Sequence, residues 1–92
     1  MMSKTWNDVR EELYSPEEIA ESDLRVLLMG EIVRMRKEKG ISQRELEKLS
    51  GVKQPVIARI ESGNSIPNIN TVLKILLALG STLKITPIEQ KM

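Results

Sequence analysis

The sequence predicts a mainly α-helical domain with a helical extension at its N-terminal end and one short β-strand at its C-terminal end. Three observations carry this prediction. Apolar residues recur every three to four positions through most of the chain, capping residues precede several of these stretches, and glycines follow them. Only the last apolar stretch changes to a period of two, which is typical of a strand.

Length and composition limit what the chain can be. Ninety-two residues suffice for one domain with a modest core, and the core must be aliphatic because there is no Phe, one Trp and one Tyr. With no Cys and no His, we expect no catalytic residue, no metal site and no cofactor, so an enzyme is the least favoured class. No apolar run approaches the ~20 residues of a membrane span and no signal-peptide core is present, so we expect a cytoplasmic protein.

Charge is divided unevenly along the chain, although the net charge is only +1. Residues 1–31 hold three Lys/Arg against eight Asp/Glu, a net charge of −5, whereas residues 32–92 hold eleven against five, a net charge of +6. Two halves of opposite sign suggest two partners of opposite charge. The alternative is that the acidic helices only favour solubility.

The N-terminal third is predicted to hold two helices. Trp6–Leu13 is a short amphipathic helix with apolar residues at i, i+3 and i+7. Residues 15–18 (SPEE) make a stronger start, because they combine an N-cap serine, a proline at the first helical position and a capping-box glutamate. A helical pattern then runs to Lys39, and residues 22–23 can cap a second start. Its apolar residues exceed what one face needs, so part of them should meet something outside the core.

The rest of the chain is organised around residues 42–63 (SQRELEKLSGVKQPVIARIESG). Ser42 and Glu45 form a capping box for a first short helix, which ends at Gly51. A second short helix has Pro55 in its first turn. Two helices of about two turns, joined by a turn that contains Gly, match a helix-turn-helix unit. The apolar faces of the two helices are Leu46 with Leu49 and Ile57 with Ile60.

Polar side chains occupy the opposite side of this unit, where a hairpin that only packs would not need them. Gln54 can present its amide to adenine, and Arg59 its guanidinium to guanine, each through two hydrogen bonds. Lys53 suits a phosphate or guanine, and the N–H groups beside Gln43 suit a phosphate. We therefore predict a DNA-binding surface. Its other candidate residues are Arg44, Pro55 and Asn64.

A further helix and a strand are predicted after this unit. Asn68 is a suitable N-cap, and Gly80 closes the helix. Residues 82–88 (TLKITPI) alternate as a strand, with Leu83 and Ile85 on one face. A lone strand needs partners for its N–H and C=O groups, so we expect it to pair with its copy in a second subunit. The helical residues predicted to face the core are Ile69, Val72, Leu73, Leu76 and Leu77.

Residues 32–80 resemble the lambda-repressor-like (Cro/C1, XRE-type) helix-turn-helix family. The matching residues are Gly40-Ile41-Ser42-Gln43, Glu45-Leu46, Gly51-Val52, Ile57 and Arg59-Ile60-Glu61-Ser62-Gly63. The resemblance implies a five-helix DNA-binding domain in which the polar residues named above contact bases and backbone. It also implies that Arg36 pairs with Glu61. Glu47 stands where the family usually has Ala, so either its stem turns outward or the two helices lie further apart.

The acidic N-terminal segment, the helix-turn-helix unit and the terminal strand together resemble HigA-type antitoxins. The matching stretches are residues 8–13, 17–19, 21–26 and 54–59. The resemblance implies a dimer that represses its own operon at an inverted repeat and neutralises a small basic, mRNA-cleaving toxin of the RelE/HigB type. We place the toxin-binding surface within residues 6–28, although Trp6 and Tyr14 can instead fold back on the core. The candidate residues are Trp6, Val9, Glu12, Leu13, Tyr14, Glu17, Ile19, Glu21 and Asp23.

The predicted organisation thus has three parts. Residues 1–29 form the acidic helical segment, residues 30–80 the DNA-binding domain, and residues 81–92 a strand and tail for dimerisation. The main alternative function is a stand-alone XRE-type repressor without a toxin partner. A protein-interaction module that has lost DNA binding is the other alternative.

Overall fold

A computed structural model describes residues 5–88, and over this range the chain forms five α-helices and no β-strand. The mainly helical class and the order of the helices are therefore confirmed. None of the helices in this range is long and apolar enough to cross a membrane. The helices are α1 (Trp6–Leu13), α2 (Pro16–Glu38), α3 (Gln43–Ser50), α4 (Gln54–Glu61) and α5 (Ile69–Ala78).

Most helices begin at a residue whose side chain accepts a backbone N–H three residues ahead. Thr5, Ser15 and Ser42 each do so within a complete capping box, and Asn68 caps α5. The N-cap of α4 is Lys53, which makes no side-chain capping bond. α2 runs without interruption through residues 22–23, so no second helix starts there. The predicted boundary between residues 29 and 30 lies inside α2.

The core lies between the second half of α2 and the three helices that follow it. α4 packs against α2 and α3, and α5 packs against α3. The buried positions of α3 and α4, Leu46, Ile57 and Ile60, agree with the sequence, but Leu49 is 61% exposed. The whole buried set is aliphatic: Leu28, Ile32, Leu46, Val52, Ile57, Ile60, Val72, Ile75, Leu76 and Leu79.

The prediction of the buried face of α5 is partly wrong. Val72 and Leu76 are buried as expected, but Ile69 and Leu77 are 65% and 64% exposed, and Ile75 is buried in their place. Apolar residues cover more than one face of α5, and only Asn70, Thr71 and Lys74 mark a polar side, so periodicity alone does not determine which apolar face meets the core.

The predicted C-terminal strand is wrong over the described residues, because residues 81–88 form no regular structure. The regular elements of residues 5–88 are all helices, whose backbone groups already bond within each helix, so they offer no sheet edge with which a strand could pair. Instead, Ser81 Oγ contacts Met35 Sδ at 2.9 Å, and Leu83 lies over the gap between α2 and α5. Ile85 is 98% exposed. Residues 89–92 of the predicted tail and residues 1–4 lie outside the described range.

Candidate nucleic-acid interface

The turn between α3 and α4 sets the position of the polar face. Gly51 has φ +77°, a left-handed conformation that strains any residue with a side chain. Its N–H donates to Glu47 O at 2.8 Å and closes α3. Val52 follows and is buried, so the turn is fixed to the core on one side and leaves the start of α4 accessible on the other.

A chain of hydrogen bonds runs from α2 to the first residue of α4. Arg36 donates to both carboxylate oxygens of Glu61, at 2.7 and 2.8 Å. Glu61 Oε1 also accepts from Gln43 Nε2 at 3.0 Å. Gln43 Oε1 in turn accepts from Gln54 Nε2 at 2.7 Å. The structure thus joins two of the predicted DNA-contacting residues to the predicted structural pair.

This chain gives the two amides a direction. A carboxylate can only accept, so Gln43 must turn its NH₂ group to Glu61 and its carbonyl oxygen to Gln54. Gln54 must then use one of its N–H groups for Gln43. Its second N–H and its carbonyl oxygen have no hydrogen-bond partner within residues 5–88. A carbonyl oxygen and an N–H side by side are the pair of groups that adenine binds in the major groove.

The ion pair beneath the amides is largely removed from water. The side chains of Arg36 and Glu61 are 14% and 7% exposed. Burial raises the pKa of Glu61, but hydrogen bonds from Arg36 and Gln43, with the charge of Arg36, outweigh burial and hold that pKa below its ordinary value. Arg36 also donates to Ile41 O at 3.0 Å. The pair therefore ties α2, α3 and α4 together.

Glu47 makes a contact that the sequence did not suggest. Its Oε1 accepts the backbone N–H of Gln54 at 2.8 Å, across the turn between the two helices. Its stem is half-buried and faces α4, so of the two arrangements expected for this residue, an outward-turned stem is not the one observed. The missing capping residue at Lys53 was the one sequence signal that α4 needs an acceptor from elsewhere.

The remaining candidate residues are exposed side chains at the two ends of α4 and the start of α3. Lys53 and Pro55 flank Gln54, and Arg59 lies one turn further along α4. Over residues 5–88, Arg59 forms no salt bridge, so its guanidinium is available to a ligand. Arg44 and Asn64 are also exposed.

The predicted toxin-binding residues lie on α1 and α2. α1 contributes no buried residue, and Arg10 links it to α2 through Asp23 Oδ1 at 2.6 Å and Ile19 O at 3.5 Å. Trp6 and Tyr14 are 67% and 46% exposed, so neither ring folds into the core. Both rings line a groove between the two helices. Val9 and Ile19 are half-buried, whereas Glu12, Leu13, Glu17, Glu21 and Asp23 are exposed.

Comparison with known proteins identifies a matching family and relatives of this chain. The helix-turn-helix family model matches residues 32–85. An HTH-type transcriptional regulator of Haemophilus influenzae is 49% identical over 90 residues, which cover 98% of this chain and 92% of the relative. A second HTH-type regulator, from Sinorhizobium fredii, is 36% identical over 58 residues, or 63% of this chain and 75% of the relative.

A solved structure also resembles this chain closely. It is a chain from a toxin–antitoxin module of Streptococcus pneumoniae, with a TM-score of 0.77 and 55% sequence identity. The likeness covers 95% of this chain and 97% of that one, so it extends well beyond residues 32–85 into α1 and the first half of α2.

Proposed function

This chain belongs to the XRE-type helix-turn-helix family of DNA-binding transcriptional regulators, which are not enzymes, and from that premise we propose that it is an antitoxin. In this proposal a dimer represses its own operon in the cytoplasm and neutralises a basic, mRNA-cleaving toxin of the RelE/HigB type. One observation carries the proposal: the likeness to a chain of a toxin–antitoxin module includes the acidic segment that lies outside the family match.

DNA recognition is assigned to the exposed side of α3 and α4. Gln54 reads adenine through its outward amide groups, and Arg59 reads guanine. Lys53 and the start of α3 beside Gln43 hold phosphates and fix the orientation of the domain. Arg44, Pro55 and Asn64 complete the surface.

A homodimer accounts for the symmetry that such a regulator needs on DNA. Two recognition helices about 34 Å apart can enter successive major grooves of an inverted repeat. Ile69 and Leu77 on α5 are 65% and 64% exposed, and exposed apolar side chains of this size support a contact with a second subunit. Pairing of C-terminal strands has no part in this proposal.

Toxin binding is assigned to α1 and the first half of α2. A protein that cleaves mRNA must bind a polyanion, so its surface is expected to be basic and to attract the acidic segment. Exposed Trp6, Leu13 and Tyr14 supply the large apolar anchors that contribute most of the affinity in protein interfaces.

The DNA half of the proposal is tested on the duplex upstream of the protein's own gene. The wild-type protein should bind this duplex more tightly than a scrambled one, and salt should weaken both complexes. Arg59→Ala should lose about 1–3 kcal/mol of binding free energy and relax one base preference, whereas Lys53→Ala should weaken both duplexes alike. Equal wild-type binding to the two duplexes would contradict base reading.

The toxin half is tested by expressing the protein with the product of the neighbouring gene. A small basic protein that co-purifies, and whose toxicity this chain relieves, would support the antitoxin assignment. Operator binding without any such partner would instead favour the alternative, a stand-alone repressor.

A further inference from the structure

Four of the five helices in residues 5–88 receive a cap from their own N-cap side chain, and α4 does not. Its N-cap position is occupied by Lys53, whose side chain can only donate hydrogen bonds. Val56 and Ile57 donate their N–H groups to Lys53 O at 2.9 and 3.2 Å, but the N–H of Gln54 has no acceptor at the N-cap. The lysine also places a cation where DNA phosphates are expected.

Glu47 supplies the missing acceptor from α3. Its carboxylate accepts the N–H of Gln54, the first residue of α4, at 2.8 Å. Its carbonyl oxygen accepts the N–H of Gly51 at 2.8 Å and so closes α3. One residue therefore ends the first helix of the unit with its backbone and starts the second with its side chain.

Gln54 is consequently held at two points. Glu47 holds its main chain, and Gln43 holds its side-chain amide at 2.7 Å. Without Glu47 the side chain would remain bound to Gln43, but the Gln54 N–H would have water alone as a partner, because Pro55 has no N–H and Val56 and Ile57 already donate to Lys53 O. The start of α4 would then fray at Gln54. A frayed first turn moves Gln54 relative to a base edge, which needs both of its hydrogen bonds in register.

We propose that Glu47 is a positioning residue for base recognition: it fixes the start of α4 before DNA arrives and so allows Lys53 to occupy the N-cap and bind phosphate. The proposal rests on the DNA-binding surface assigned above and adds a residue that touches no base. Because Glu47 acts by accepting a hydrogen bond, a glutamine, which keeps an acceptor oxygen but no charge, can replace it in this role.

The test compares Glu47→Ala, Glu47→Gln and the control Glu45→Ala. Glu45 is an exposed acid on the same helix, two residues away. Its carboxylate accepts the N–H of Ser42 at the start of α3, not an N–H of α4. The DNA probe is a duplex selected from a random pool with the wild-type protein, measured against a scrambled duplex of equal composition. Hydrogen exchange at the backbone N–H of Gln54 is measured in the free protein, so this readout does not depend on DNA.

Glu47→Ala should speed exchange at the backbone N–H of Gln54. It should also lower the ratio of the affinity for the selected duplex to that for the scrambled duplex by about fivefold, the equivalent of one capping bond. Glu47→Gln should keep slow exchange and the wild-type ratio, and Glu45→Ala should keep the ratio. If Glu47→Ala keeps the wild-type affinity ratio, the positioning role of Glu47 is refuted while the DNA-binding surface stands. The same loss in Glu47→Gln, or in Glu45→Ala, overturns that role too, because charge or general stability would then be the cause. A wild-type protein that selects no duplex would instead refute the DNA-binding surface itself.

Discussion

Two arginines of α2 lie in contrasting surroundings, and the contrast predicts which of them the fold needs. Arg36 is 14% exposed and pairs with Glu61, which is 7% exposed. Arg34 is 54% exposed and pairs with two glutamates on its own helix. Removal of one member of a buried pair strands the other charge away from water, whereas an exposed charge is simply hydrated.

We therefore expect Arg36→Ala to lower the free energy of unfolding by about 3 kcal/mol. The matched change Arg34→Ala should lower it by less than about 1 kcal/mol. Urea unfolding measures both. The double variant Arg36→Met/Glu61→Leu should recover much of the loss, because it removes both charges and retains apolar volume. If the free-energy changes of Arg36→Met and Glu61→Leu, measured singly, add up to that of the double variant, the pair is not coupled.

The pKa of Glu61 makes the same pair sensitive to acid. This pKa is lowered in the folded protein from the ordinary value of 4.5. A carboxyl group with a lowered folded-state pKa stabilises the fold above its unfolded-state pKa, and that stabilisation is lost as the pH falls through the folded-state value. Below pH ~4.5, we expect the free energy of unfolding to fall more steeply for wild type than for Glu61→Gln. Thermal unfolding between neutral and acid pH measures this, and parallel profiles would contradict it.

Residue types and spacing in the sequence predicted the exposed DNA-binding candidates, but not how they are held. Hydrogen bonds from Gln54 to Gln43 and to Glu47 join residues on different helices, and their formation depends on the crossing of α3 and α4. Spacing along one helix carries no information on that crossing. The one clue was negative, since a lysine stands where α4 should have a capping side chain.

At the scale of elements, local signals predicted the helices well and the packing less well. Capping boxes at Ser15 and Ser42 and the cap at Asn68 act within four residues, so they can be read from the sequence. The buried face of α5 and the state of residues 81–88 depend on what lies opposite them. Alternation around Leu83 and Ile85 resembles a strand, yet no neighbouring strand is present in residues 5–88 to complete it.

The weakest attachment among the helices is that of α1. It has no buried residue, and an eight-residue helix is too short to be stable alone in water. Arg10 of α1 donates to Asp23 and to Ile19 O on α2; its side chain is 18% exposed and that of Asp23 is 61% exposed. A partly exposed pair of this kind contributes little to global stability, but we expect it to help orient α1 on α2.

We expect Asp23→Asn to speed amide exchange throughout α1 and to change the free energy of unfolding by less than about 1 kcal/mol. Amides of α3, α4 and α5 should be unaffected, because those helices have the core contacts. Glu17→Gln is the matched control, since it removes an acid from the exposed start of α2 and should leave α1 protected. If α1 keeps its protection in Asp23→Asn, apolar contacts with α2 hold it instead.

At the scale of the whole molecule, α2 joins two surfaces of different chemistry. Its first half carries the acidic segment with α1, and its second half supplies Leu28 and Ile32 to the core that positions α3 and α4. The described chain is elongated, with extents of 53 × 25 × 24 Å. The sequence carried no signal for this elongation, but it shows the opposite charges of the two halves directly, and those charges favour two partners that bind independently.

Whether the acidic segment and the DNA-binding surface act independently is measured most directly with two variants of the full chain and two assays. Trp6→Ala/Tyr14→Ala changes the acidic segment at two side chains outside the core, and Gln54→Ala/Arg59→Ala changes the DNA-binding surface. Each variant is tested for operator binding and for relief of toxicity when co-expressed with the neighbouring basic protein. We predict that the first loses relief of toxicity and keeps operator binding, and that the second does the reverse. Loss of both activities in either variant, or relief of toxicity that survives the Trp6/Tyr14 change, would contradict two separate surfaces.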